Sequence, residues 1–258
     1  MSENTRWTLW SDDLVIQTSI DGHTKVATVT LCEPERRNAI SYEMADQIRE
    51  AFGALEADER VGAVVVTGAP PAFCAGAVLG DLAKADERSL RHVYGAFLKV
   101  RESGLPTVAA VNGAAVGAGL NLALACDLRI CGTSAVFDAR FLDIGLHPGG
   151  GATWMLQRQL GEAAAAAMLL FGQRIDGPAA ARIGLAWSCV DDGELLAAAG
   201  QIAARAAAMP RELAREMKRT LRRVERMTSH ADALEVELDR QLWSAGKPWF
   251  SEWARRRG

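Results

Sequence analysis

Two stretches of the chain place small residues where an apolar run leads toward a helix. AFCAGAVLGDL (72–82) follows the apolar run 61–68, and NGAAVGAGLNL (112–122) follows the apolar run 106–111. Small side chains let a ligand approach the main chain closely. The first N–H groups of a helix have no intrahelical partner, so they favour an anion or a polarised carbonyl oxygen. Two such donors aimed at one oxygen would stabilise negative charge developing on a carbonyl during addition or proton removal. The alternative is that the glycines only let a strand and a helix pack closely. An acid or base for the chemistry would have to come from elsewhere in the chain.

The elements that must hold these stretches are legible in the pattern. LVIQTSI (14–20) and KVATVTL (25–31) read as strands joined at Asp21-Gly22. Residues 41–58 read as a helix capped by Ser41, with Met44, Ile48, Phe52 and Leu55 at helical spacing. The continuous apolar runs 61–68 and 106–113 predict strands buried on both faces. A polar helix is expected near 85–103, a second helix near 117–126 and a strand at 127–132. Beyond about 152 one strand, 185–190, stands between Ala-rich helices, and 192–208, 210–227 and 231–245 read as three helices. Alternation of strands and helices predicts an α/β fold with right-handed crossovers.

The same segments, taken together, resemble the crotonase (enoyl-CoA hydratase/isomerase) superfamily. EPERRNAIS (33–41), FCAGAVLGDL (73–82), VNGAAVGAGLNLALACDLRI (111–130), FLDIGLHPGGGAT (141–153) and GQRIDGPAAARIGLAWSCV (172–190) occur in the family's order and cover most of the chain. The resemblance implies a ClpP/crotonase-like spiral of ββα units, with an acyl-CoA-binding core over 1–195 and a C-terminal helical trimerisation region over 196–258. It implies an acyl-CoA substrate, coenzyme A entering as part of that substrate, and no separate cofactor or metal. It implies an oxyanion hole formed by the N–H groups of Ala77 and Ala118. It places substrate contacts at Arg36 and Ala39, at Ala75, Val78, Leu79 and Gly80, and at Gly117, Asn121 and Phe141. Assembly as a trimer or dimer of trimers is implied by the same resemblance.

One departure from the family's pattern bears on the reaction. The two glutamates that the family's hydratases use correspond to Asn121 and Phe141. An amide can hold water by hydrogen bonds but is not an acid or base near neutral pH, and a phenyl ring can do neither. Three substitutes present themselves. Asp138 could offer a carboxylate on the face of a helical turn shared with Phe141, or cap that turn. His147, before Pro148 and a run of glycines, could act as a general base or be simply solvated. Asp143 reads as an ion-pairing residue. Cys74 has no histidine partner that would mark a nucleophile, and Asp127 reads as a structural acid.

The remaining composition bounds the alternatives. A net charge of -3 and a pI near 5.9 give no basic stripe for nucleic acid; the basic run Arg255–Arg257 reads as a solvated tail. Five cysteines without metal-ligand spacing fit free thiols in a reducing compartment. No apolar stretch reaches membrane-spanning length and no secretory leader pattern is seen, so a cytoplasmic protein without membrane partners is expected. A G-x-G-x-x-G fingerprint is absent, which disfavours a dinucleotide-dependent oxidoreductase. A protein that binds acyl-CoA without turning it over is the second reading.

Overall fold

The computed structural model describes residues 6–9 and 14–256. Three strands open it: β1 (Arg6–Leu9), β2 (Ile16–Asp21) and β3 (Val26–Leu31), paired antiparallel in sequence. Helix α1 (Tyr42–Ala57) follows; Ser41 caps it by accepting from the Met44 N–H at 3.1 Å, as its sequence position predicts.

The chain then repeats one unit three times. Each unit sends its first strand into a large sheet and its second, three-residue strand into a small one. The pairs are β4 (Ala63–Gly68) with β5 (Ala72–Cys74), β6 (Thr107–Val111) with β7 (Ala114–Val116), and β8 (Leu128–Gly132) with β9 (Val136–Asp138). The helices after them are α2 (Leu79–Leu82) and α3 (Glu87–Glu102), then α4 (Ala118–Ala125), then α5 (Ala152–Leu170), which is broken at Gly161. After α5 come β10 (Ile175–Asp176), α6 (Gly177–Arg182) and β11 (Ser188–Val190). The large sheet runs β1-β2-β3-β4-β6-β8-β11 and the small sheet β10-β9-β7-β5. Pairing is parallel from β3 through β11 and among β5, β7 and β9. The expected spiral of ββα units is therefore present.

Strands β4 and β6 are buried along their whole length, which explains their continuous apolar runs. One face of the large sheet packs on α1, α3 and α4, with Phe52, Phe73, Phe97 and Leu120 fully buried between layers. The opposite face is covered by α7 (Leu195–Ala207), whose Leu195, Ala199, Ala203 and Ala207 meet Val65, Val108, Ala110 and Ile130. The expected division at 195/196 thus falls at the start of a helix that belongs to the core.

Beyond it stand α8 (Arg211–Val224), α9 (His230–Ala245) and α10 (Pro248–Arg255). Helix α8 is fixed by cations that donate to main-chain carbonyls. Arg211 and Arg215 reach Glu56 O, Lys218 reaches Leu105 O at 2.6 Å, and Arg222 reaches the carbonyls of Arg101, Glu102 and Ser103. The carbonyls of Glu56, Arg101, Glu102 and Ser103 lie at the C-terminal ends of α1 and α3, where a cation is favourable. The expected solvated tail is helical through Arg255; Arg255 and Arg256 are exposed, and Arg257 lies outside the described residues. Among the described residues no helix is long and apolar enough to cross a membrane.

Candidate active site

A cavity of about 360 Å³ opens between α3, the start of α4 and the turn 139–149. Both small-residue stretches reach it: Ala75, Gly76 and Ala77 on one side, Gly117, Ala118 and Asn121 on the other. The rest of the wall is largely apolar, with Leu82, Leu90, Val93, Phe141 and Leu146.

The backbone around Ala77 is turned by its pairing. Ile40 donates its N–H to Gly76 O at 2.7 Å and accepts from the Val78 N–H at 3.2 Å. In a parallel bridge of this kind the middle residue directs its own N–H and C=O to the other side. The Ala77 N–H therefore faces away from Ile40. Gly76 (φ 107°) makes the bend; a Cβ built on it would stand 3.0 Å from Val116 O and 3.9 Å from Ala118 N. The two stretches thus run side by side at this point.

Ala118 is the first residue of α4, so its N–H has no intrahelical acceptor. The residue before it, Gly117, has φ 51° and ψ −111° and offers no side-chain cap. Gly117 is itself held, because its N–H donates to Asp138 O at 2.9 Å. Neither the Ala77 nor the Ala118 N–H donates to a backbone group among the described residues.

The expected site residues separate into groups. Ala75, Leu79, Gly117, Asn121, Phe141 and His147 line the cavity with Ala77 and Ala118. Arg36, Ala39, Val78 and Gly80 do not. The segments carrying them are nevertheless joined, since the Ala75 N–H donates to Arg37 O at 2.9 Å. The Arg36 side chain is exposed and pairs with Glu33 at 3.3 Å.

Asp138 requires a correction. It ends strand β9 instead of entering a helical turn, and its side chain is buried away from the cavity lining. Its carboxylate accepts from Arg140 Nε at 2.8 Å and pairs with Arg174 Nε at 3.2 Å. Neither the expected cap nor the expected acid is what this carboxylate does; its carbonyl, through Gly117, is what supports the site. Asp143 pairs with Arg174 at 3.6 Å, as its expected role requires. His147 is exposed, with Nδ1 2.9 Å from Pro148 O. Asn121 is buried; its Nδ2 donates to Gly149 O at 3.0 Å, while its Oδ1 has no partner among the described residues.

Cys74 is fully buried, and burial pushes its thiol up to about 12, so it is not a nucleophile near neutral pH. Asp127 accepts from the Thr107 N–H at 2.8 Å and from Lys218 at 2.6 Å, a structural role. Sequence reasoning misses two polar residues of the wall, Tyr94 and Arg140. Tyr94 stands inside the predicted polar helix, but only the packing of α3 against α4 brings its hydroxyl to the cavity. Among the described residues of the lining there is no aspartate or glutamate.

Known proteins are similar to this chain in sequence and fold. The Enoyl-CoA hydratase/isomerase family matches residues 21–245. A Mycobacterium tuberculosis protein named "Probable enoyl-CoA hydratase EchA14" is 49% identical over 90% of this chain and 93% of its own. The 1,2-epoxyphenylacetyl-CoA isomerase of Escherichia coli K12 is 36% identical over 72% of this chain and 74% of its own. The crystal structure of an enoyl-CoA hydratase from Polaromonas sp. JS666 superposes with a TM-score of 0.84 at 30% identity, covering 90% of this chain and 91% of that one. On these matches and on the repeated ββα architecture, the chain belongs to the enoyl-CoA hydratase/isomerase family of the crotonase superfamily.

Proposed function

We propose that this protein acts on an acyl-CoA thioester, whose carbonyl oxygen is held by the N–H groups of Ala77 and Ala118. One observation carries the reading. Two N–H groups without backbone acceptors, one turned out by the Ile40 bridge and one at the start of α4, stand on a cavity whose wall is otherwise mostly apolar. Such donors stabilise an enolate far better than they stabilise the neutral thioester, because the charge arises only during reaction.

The fate of the enolate depends on the polar groups around it. With Asn121 and Phe141 at the positions of the hydratase glutamates and no carboxylate in the described lining, direct water addition has no carboxylate base on the wall. The site favours proton transfer at the acyl carbons, an isomerase-type reaction, over hydration. Asp138, bound by two arginines, is neither acid nor base in this scheme. His147 stays a candidate at the exposed edge. The apolar cavity suits an uncharged acyl chain, and Arg36–Ala39 with Ala75–Gly80 would meet the coenzyme A portion.

Self-association is part of the same proposal. Helix α9 exposes Leu234, Leu238 and Leu242 at four-residue spacing, and α10 exposes Phe250 and Trp253. A trimer or dimer of trimers would cover such side chains. A cytoplasmic location is in keeping with this activity.

Calorimetry with butyryl-CoA and crotonyl-CoA tests the binding reading; heat of binding with a 1:1 stoichiometry per chain is expected, and none with either thioester would end it. Turnover on a panel of enoyl thioesters then separates the enzyme from a protein that only binds them. Isomerised product is expected to exceed hydrated product, and the reverse ratio would refute the preference for proton transfer.

A further inference from the structure

We infer that the Tyr94 hydroxyl is the group that exchanges a proton with the α-carbon of the bound acyl chain, an assignment that rests on the acyl-CoA reading above. Tyr94 lies on α3, its ring 5.7 Å from that of Phe97, so the phenol is presented from a packed helix and not from a loop. Its oxygen stands against Gly149: a Cβ on that glycine would lie 2.4 Å from it. The carbonyl of the same Gly149 holds the Asn121 amide at 3.0 Å. Phenol and amide therefore flank one residue of the cavity wall.

Asn121 in turn fixes where along the substrate this happens. It is three residues after Ala118, one turn along the same face of α4, where neighbouring side chains are about 5–6 Å apart. A thioester whose oxygen rests on the Ala118 N–H has its α-carbon bonded to that carbonyl carbon. The α-carbon then falls within about one helical turn of Ala118, as Asn121 does, and Gly149 lies between Asn121 and the Tyr94 hydroxyl.

The competing groups are less suited. The Arg140 guanidinium has donors but no acceptor and is paired with Asp138. The His147 ring is exposed, and its Nδ1 lies against the carbonyl of the next residue. The Tyr94 hydroxyl makes no hydrogen bond among the described residues, although it lines the cavity. Tyrosine is an established general acid and base. In the step assigned here the Tyr94 O–H first gives its proton to solvent water; the Cα–H bond then breaks and its proton passes to the phenoxide oxygen so formed. The bonding pair moves toward the carbonyl oxygen and gives the enolate held by Ala77 and Ala118. Return of a proton from the phenol re-forms the C–H bond and the phenolate. In D2O the phenol exchanges with solvent between the two halves, so deuterium enters the α-carbon with no other reagent.

The experiment is deuterium incorporation into butyryl-CoA in D2O, followed by mass spectrometry, alongside calorimetric binding of the same thioester. The wild-type chain is expected to label the α-carbon. Tyr94→Phe keeps the ring and its packing; it is expected to bind butyryl-CoA within about threefold and to label it at least about 100-fold more slowly. Tyr42→Phe, at the other tyrosine of the chain, is expected to label at the wild-type rate. Labelling by Tyr94→Phe at the wild-type rate would overturn the assignment, as would tight binding without labelling by the wild type. Failure of the wild type to bind any acyl-CoA would instead bring down the acyl-CoA reading, and this assignment with it.

Discussion

Gly119 of α4 lies in backbone contact with Cys74 of β5. A Cβ on Gly119 would stand 2.2 Å from Cys74 O and 2.7 Å from Cys74 Cβ. This contact presses the start of α4 against the end of the short strand, and so sets the position of Ala118 relative to the bend at Gly76. Gly119→Ala is expected to force the two apart at a cost of about 1–3 kcal/mol, the usual range for overpacking. Urea denaturation would show the loss, and calorimetry would show weaker acyl-CoA binding in the same variant. A variant as stable as wild type, with unchanged binding, would mean that the contact does not set the site.

Ala118→Pro deletes one N–H at the first helical position, where proline is otherwise well tolerated. Loss of one oxyanion donor costs on the order of 100- to 1000-fold in rate. A drop of that size in kcat is expected, with a melting temperature close to wild type. Retention of full activity would remove Ala118 from the proposed hole.

Asp138→Asn separates a catalytic carboxylate from a structural one. The carboxylate is buried and holds Arg140 and Arg174. The amide is expected to lower stability by about 1–3 kcal/mol, the range for a weakened charged hydrogen bond, and to alter KM modestly through Arg140. Turnover should persist, because the Asp138 carbonyl that anchors Gly117 is untouched. Activity falling to the uncatalysed level in a folded variant would restore Asp138 as an acid or base.

Burial raises the Cys74 and Cys126 thiols from the ordinary 9.0 to about 12. The thiolate is the reactive form, so neither cysteine should be alkylated by iodoacetamide at pH 8.5 in the native protein, and both should be after denaturation. Peptide mass mapping reads this directly. Between pH 9 and 12 the folded thiols keep protons that the unfolded ones release, so stability falls with rising pH across that window. Early alkylation of either residue in the folded chain would contradict the burial.

Lys218 donates from α8 to Leu105 O and pairs with Asp127, both at 2.6 Å. Lys218→Met keeps the aliphatic stem but leaves that carbonyl and Asp127 without their cation. A loss of about 1–3 kcal/mol is expected, less than for a fully buried pair because Asp127 is partly exposed. Thermal unfolding would register it as a lower melting temperature, and an unchanged value would show that α8 is held by its arginines alone.

Much of this architecture can be read from periodicity. Strands β4 and β6 announce themselves as continuous apolar runs, and α1 by its Ser41 cap and its Met44, Ile48, Phe52 stripe. The small sheet is not announced. Strands β5, β7 and β9 have three residues each, too few for an alternation to show, and they exist because parallel neighbours complete their hydrogen bonds. Asp138 is misread for that reason: with β9 unmarked in the pattern, residues 138–141 look like a turn. Tyr94 escapes sequence reasoning because a tyrosine within an amphipathic helix carries no local mark of the cavity it will face.

Residue types and their order along the chain set the chemistry available to the main chain. Glycines and alanines at 75–80 and 113–119 leave N–H groups open to a ligand, and Asn121 and Phe141 remove the two glutamates, whatever the packing. Direction comes from the packing of distant segments. The Ile40 bridge turns the Ala77 N–H outward, the Gly119–Cys74 contact brings Ala118 beside it, and the α3–α4 packing brings Tyr94 to the same wall. Local pattern specifies which groups a segment owns, but hydrogen-bond pairing between distant segments fixes where those groups point.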